Sequence, residues 1–116
     1  MAVPILKQGK YLIASIQSAL TDSDMISLRD DLMEQVGRYR SRGIIIDVTA
    51  LDVMDSFASR SLRNIAYMTK LRGAETVLVG IQADVAYAMV QLGTNLEEVN
   101  TALDLEEGLA FLNHLT

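Results

Sequence analysis

Cysteine and tryptophan are absent from this chain, and histidine occurs once. Without cysteine there is no disulfide framework, no thiolate nucleophile and no cysteine metal site, which fits a reducing, cytoplasmic setting. The seven glycines, at 9, 37, 43, 73, 80, 93 and 108, are too dispersed to form either of the phosphate-cradling runs of nucleotide enzymes. His114 stands near the C-terminus on an expected helix end, where a solvated side chain accounts for it better than a catalytic base. Apolar runs stay far below the roughly 18 residues of a membrane-spanning helix, and the first residues lack a basic leader followed by an apolar core. The expectation is a soluble, unexported protein with no catalytic constellation, metal or cofactor of its own.

Charge narrows the partners. Fifteen acids against ten bases leave a net charge of -5, which disfavours a phosphate-binding surface over most of the molecule and makes nucleic acid an unsuitable partner. Arg38, Arg40 and Arg42 form a small basic group, read here as cations favouring the last turn of a helix. A chain of 116 residues fits one domain, residues 1–116, that buries about two thirds of its unfolded surface.

Periodicity supplies the elements. Val3 to Gln8 and Tyr11 to Gln17 read as strands joined by a Gly9-Lys10 hairpin turn. Thr21-Asp22-Ser23-Asp24 offers N-cap candidates, and Met25, Leu28, Leu32, Val36 and Tyr39 then recur at helical spacing until Gly43. The run Gly43 to Val48 reads as a buried strand, and a helix from Ser56 to a stop at Gly73 follows. Thr76 to Gly80 is a further buried strand, and Asp84 is expected to cap a helix carrying Val85, Met89 and Leu92 to Gly93. A short strand is expected near Glu98 to Leu103, and Asp104-Leu105-Glu106-Glu107 resembles a capping box opening a last helix with Leu105, Leu109 and Leu112 aligned. The order ββαβαβα(β)α implies an α/β fold: a mixed, mostly parallel sheet flanked by about four helices.

The densest chemistry lies between Gly43 and Leu71. Ser56 stands where a helix N-cap is expected, with Asp52 and Asp55 on the loop before it and Val53, Met54 and Phe57 around it. A phosphoryl group on Ser56 would meet first-turn amides and the helix dipole while Asp52 and Asp55 oppose it. Attraction of roughly 0.3–2 kcal/mol against repulsion of similar size leaves folding nearly unchanged. A nearly dianionic group facing an apolar or acidic partner, by contrast, changes affinity tenfold for each ~1.4 kcal/mol. A switch at Ser56 would therefore act on association. The plainer alternative is a serine that merely caps a helix, worth about 1 kcal/mol. Asp47, Asp52 and Asp55 could also supply oxygen ligands to magnesium, as in a receiver domain, but the first strands carry no acidic pair and Thr76 to Ile81 has no lysine.

The segment Ile44-Ile45-Ile46-Asp47-Val48-Thr49 followed by Asp55-Ser56-Phe57 resembles the phosphorylation segment of STAS domains, the anti-anti-sigma-factor fold. More narrowly, Pro4-Ile5-Leu6-Lys7, Ala14-Ser15-Ile16-Gln17, Gly80-Ile81-Gln82 and Thr101-Ala102-Leu103-Asp104-Leu105-Glu106 are similar to stressosome antagonists of the RsbS type. The resemblance covers nearly the whole chain. It implies a single STAS domain acting as a non-catalytic scaffold that sequesters a serine kinase of the RsbT type, co-assembles with sensor-bearing paralogues of the RsbR type and is reset by a phosphatase. It implies Ser56 as phosphoacceptor, with Asp55, Phe57 and Met54 as partner-binding neighbours; Ser59 and Ser61 lie off the family's motif. The length of the chain leaves no room for the extra N-terminal domain of the sensor-bearing type. A freely diffusing anti-anti-sigma factor that binds a single anti-sigma kinase is the competing expectation.

Overall fold

Successive side chains of an extended strand point to opposite faces, so the uninterrupted run Ile44-Ile45-Ile46 needs cover on both sides. A computed structural model, which describes residues 3–93 and 99–115, provides it. The strands are β1 (Ile5–Gln8), β2 (Tyr11–Ser15), β3 (Gly43–Asp47), β4 (Glu75–Val79) and β5 (Asn100–Ala102); the helices are α1 (Asp22–Tyr39), α2 (Ser56–Leu71), α3 (Ala83–Gln91) and α4 (Leu105–Leu115). The sheet order is β1-β2-β3-β4-β5. Only β1 runs antiparallel, with Gln8 opposite Tyr11 across the hairpin turn; Ile45 pairs with Ile13 on one side and with Val77 on the other, all in parallel register.

Two cores follow from the alternation. Leu12, Ala14, Ile44, Ile46 and Leu78 face Leu28 and Leu32 of α1, Leu62 and Ile65 of α2 and Val85 of α3. Tyr11, Ile13, Ile45, Val77 and Val79 face the opposite way, onto Leu112 and Leu109 of α4. Gly108 lets α4 settle on the sheet, since a Cβ there would lie 2.8 Å from Val79 Cγ1. One polar contact sits inside the larger core's rim: the hydroxyls of Thr69 and Thr76 are 2.7 Å apart, and Thr69 also donates to the Ala66 carbonyl at 2.9 Å.

The helix ends differ instructively from the sequence reading. Thr21 caps α1 in a complete capping box with Asp24. Gly73, at φ +87°, closes α2 as expected: its N–H donates to the Lys70 carbonyl and the Ala74 N–H to that of Thr69. Helix α1 stops earlier than Gly43, at Tyr39, because Arg40 takes up the left-handed conformation at φ 50°. Arg38 alone of the three arginines therefore lies in the last turn, with Arg40 at the cap and Arg42 beyond it. Gln82, not Asp84, holds the cap position of α3, with no side-chain bond; Asp84 falls inside the first turn, where a carboxylate favours the dipole. Val3, Pro4, Ile16 and Gln17 fall outside β1 and β2, and the part of the last expected strand at Glu98 lies outside the described residues.

Candidate functional site

Each parallel strand hands its chain to a helix at the carboxyl edge of the sheet, so the loops there converge. The β3–α2 loop is the longest of these among the described residues and is pinned at both ends. Asp47 Oδ1 accepts from the Thr49 N–H at 2.9 Å and from its hydroxyl at 2.6 Å. Gln82 reaches across from the start of α3 and donates its Nε2 to the Thr49 carbonyl at 2.7 Å. Gly80, at φ +80°, lies against Thr49 so closely that a Cβ would overlap the Thr49 hydroxyl. Within the Gly80-Ile81-Gln82 segment, the glycine thus admits the loop and the glutamine ties it down.

The loop delivers Asp55 to the N-cap of α2. Asp55 is extended, at φ -80° and ψ 176°, and its Oδ1 accepts from the Ala58 N–H at 2.7 Å. The expectation that Ser56 is the cap is corrected: both residue types accept well at this position, and the carboxylate, drawn by the dipole as well, takes it. Ser56 becomes the first residue of the helix. Its side chain is half-buried, and its hydroxyl makes no hydrogen bond among the described residues. The amides of Ser56 and Phe57, in the first two positions, have no intrahelical acceptor and remain available to an anion. That of Ala58 is occupied by Asp55.

The other sequence-identified residues separate clearly. Ser59 is fully buried and its hydroxyl donates to the Asp55 carbonyl at 3.0 Å, which leaves a kinase nothing to reach. Ser61 lines a groove of about 280 Å³ between α1 and α2, together with Met25, Ile26, Phe57 and Met68. Met54, expected beside the hydroxyl as a partner contact, is only 5% exposed and belongs to the core. Its side chain, with Leu51, Ile16 and Leu62, walls a small cavity of about 60 Å³ beneath the loop, so it supports the site from below. The apolar surface beside Ser56 comes instead from Val53, which is 64% exposed, and from the half-buried Phe57. Sequence reading names Val53 among the apolar surroundings of Ser56 but assigns the partner contact to Met54 and Phe57, although an apolar residue between two aspartates in a loop is a usable signal. Asp47 is committed to Thr49, and among the described residues no group of acids and histidines is arranged to hold a metal ion.

Comparison with known proteins gives one family. A model of the STAS domain matches residues 2–108. RsbS of Moorella thermoacetica, in a form with one serine replaced by glutamate, is 35% identical; the match covers 97% of this chain and 96% of that one with a TM-score of 0.85. A chain from the solved molecular architecture of the stressosome, a signal integration and transduction hub, is 33% identical over 97% of both chains, with a TM-score of 0.80. The RsbT co-antagonist protein RsbRA of Bacillus subtilis (strain 168) is 29% identical over 82 residues, which are 71% of this chain and 30% of that protein. The chain likewise spans 30% of RsbRD, a second co-antagonist from the same organism.

Proposed function

Because the chain belongs to the STAS-domain family, we propose that it is a stressosome scaffold and antagonist, holding a serine/threonine kinase of the RsbT type and releasing it when Ser56 is phosphorylated. The coarser part, a STAS protein of the stressosome that co-assembles with RsbR-type paralogues, is supported by the full-length likeness to RsbS and by the likeness to the co-antagonists. Among the described residues no helix is long and apolar enough to cross a membrane. In this reading the assembly is cytoplasmic, the protein performs no catalysis, and a separate phosphatase resets it.

One observation carries the assignment of the switch. Ser56 combines an unengaged hydroxyl, two free first-turn amides and the exposed apolar Val53, whereas its neighbour Ser59 is sealed. Phosphorylation adds a charge of about -1.5 to -2 beside the Asp55 carboxylate. The free amides receive part of that charge, so the helix persists while the apolar contact around Val53 and Phe57 becomes a poor surface for a partner to cover. The switch works on association, and α2 keeps its structure throughout.

Incubation with an RsbT-type kinase and ATP, followed by mass-spectrometric mapping, is expected to place phosphate on Ser56. Phosphate elsewhere with Ser56 unmodified rejects the assignment. Light scattering of a mixture with an RsbR-type paralogue is expected to give megadalton-class particles; small complexes would favour the freely diffusing anti-anti-sigma factor instead.

A further inference from the structure

We propose that the amino edge of the sheet, remote from Ser56, carries a binding site for a small oligophosphate anion, formed by Arg40, Arg42 and Arg72. An open cleft of about 530 Å³ separates the last turn of α1 from the turn between α2 and β4, and these arginines are three of the seven residues that line it. They arrive from different places: Arg40 ends α1, Arg42 precedes β3 and Arg72 ends α2. None of their guanidinium groups has a hydrogen-bond or ion-pair partner among the described residues. The neighbouring acids are engaged elsewhere, Glu34 with Arg38 at 2.6 Å and Glu75 with Asn100 Nδ2 at 3.1 Å.

Helix ends attract cations, so the alternative is three arginines that merely complement two C-termini. That role requires no hydrogen bond to the terminal carbonyls, and the three guanidinium groups make none. Two residues of the cleft, however, run against stability. Gly37 occupies the last turn of α1, where alanine is the better helix former, yet a Cβ there would lie 2.7 Å from an Arg72 guanidinium nitrogen. Arg40 occupies a left-handed cap that glycine fills without strain, and it is the sole non-glycine residue at positive φ among the described residues. Glycine stands where a side chain would stabilise and arginine where glycine would. Both exchanges favour the guanidinium cluster.

The ligand class follows from charge and shape. Guanidinium presents paired N–H donors that match phosphate oxygens, and three such forks exceed what one phosphoryl group needs. Each helix C-terminus contributes only about half a negative charge against three whole positive ones. A long polyanion such as nucleic acid would meet the acidic remainder of a chain of net charge -5, whereas a short one touches the cleft alone.

The test is a titration of the full ¹⁵N-labelled chain with inorganic triphosphate, followed by NMR. Saturable shifts are expected at Ser41, Arg42, Gly73 and the arginine Nε–H groups, and none at Ser56. Arg40→Gly and Arg72→Gln should each weaken binding by at least about tenfold. Arg40→Gly and Gly37→Ala should raise the melting temperature while weakening binding, a combination that a purely structural role does not produce. Unchanged affinity in Arg40→Gly and Arg72→Gln, equal shifts with sulfate at matched ionic strength, or shifts spreading equally to Arg29 and Arg60 would each overturn the proposal.

Discussion

The two edges of the sheet carry opposite charge, and they treat stability differently. At the carboxyl edge, Asp24, Asp55 and Asp104 cap helices and serve stability directly: Asp24 completes a capping box, Asp55 holds the Ala58 amide and Asp104 that of Glu107. At the amino edge Arg40, Arg42 and Arg72 gather without partners among the described residues, and Gly37 and Arg40 are each the less stable choice. Helix dipoles explain why acids collect at one edge and bases at the other. They do not explain why the acids are bonded and these bases are not. On the proposed reading, the edge whose charges are already engaged in the fold takes up and loses a phosphoryl group without unfolding, and the edge whose charges are unengaged takes the ligand.

The sharpest way to break this comparison is at Gly80. Alanine there must accept a positive φ and displace Thr49, so Gly80→Ala should cost about 2–4 kcal/mol in denaturant unfolding and loosen the β3–α2 loop. A cost below ~1 kcal/mol would mean that the acidic edge is not built around this approach. Next in size is Asp55→Ala, which removes the cap of α2 and should cost about 1 kcal/mol, whereas Asp52→Ala, with no cap to lose, should stay within about 0.5 kcal/mol. Ser56→Asp should change stability by less than ~1 kcal/mol while weakening kinase retention at least about tenfold; unfolding of this variant would refute the separation of switch from fold. At the basic edge the sign reverses. Gly37→Ala should stabilise the chain by about 0.5–1 kcal/mol, and a loss instead would show that the amino edge obeys the same rule as the carboxyl edge.

Local chemistry makes much of this legible. The isoleucine run at Ile44 to Ile46 and the spacing of Leu28, Leu32 and Val36 announce a two-sided strand and an amphipathic helix, and both stand in the structure. The capping residue of α2 is displaced by one because Asp55 and Ser56 are adjacent and nearly equivalent acceptors; only backbone conformation separates them. Met54 escapes the sequence reading because alternation in a loop gives no direction, and the side chain turns into the core beside Leu51. Contacts between distant residues are illegible in principle. Nothing local tells that Gln82 will reach Thr49, or that the Arg72 guanidinium will lie over Gly37.

Thr69 and Thr76 share one buried hydrogen bond, and with the Thr69 proton directed at the Ala66 carbonyl, Thr76 is the donor to Thr69. The pair is therefore asymmetric under evolutionary drift. Losing Thr76 first leaves a hydroxyl that still has an outlet, whereas losing Thr69 first strands a donor in the dark interior. Lineages that replace this contact with valines should have passed through the Thr76 change, and sequences holding threonine at 76 over an aliphatic residue at 69 should be scarce.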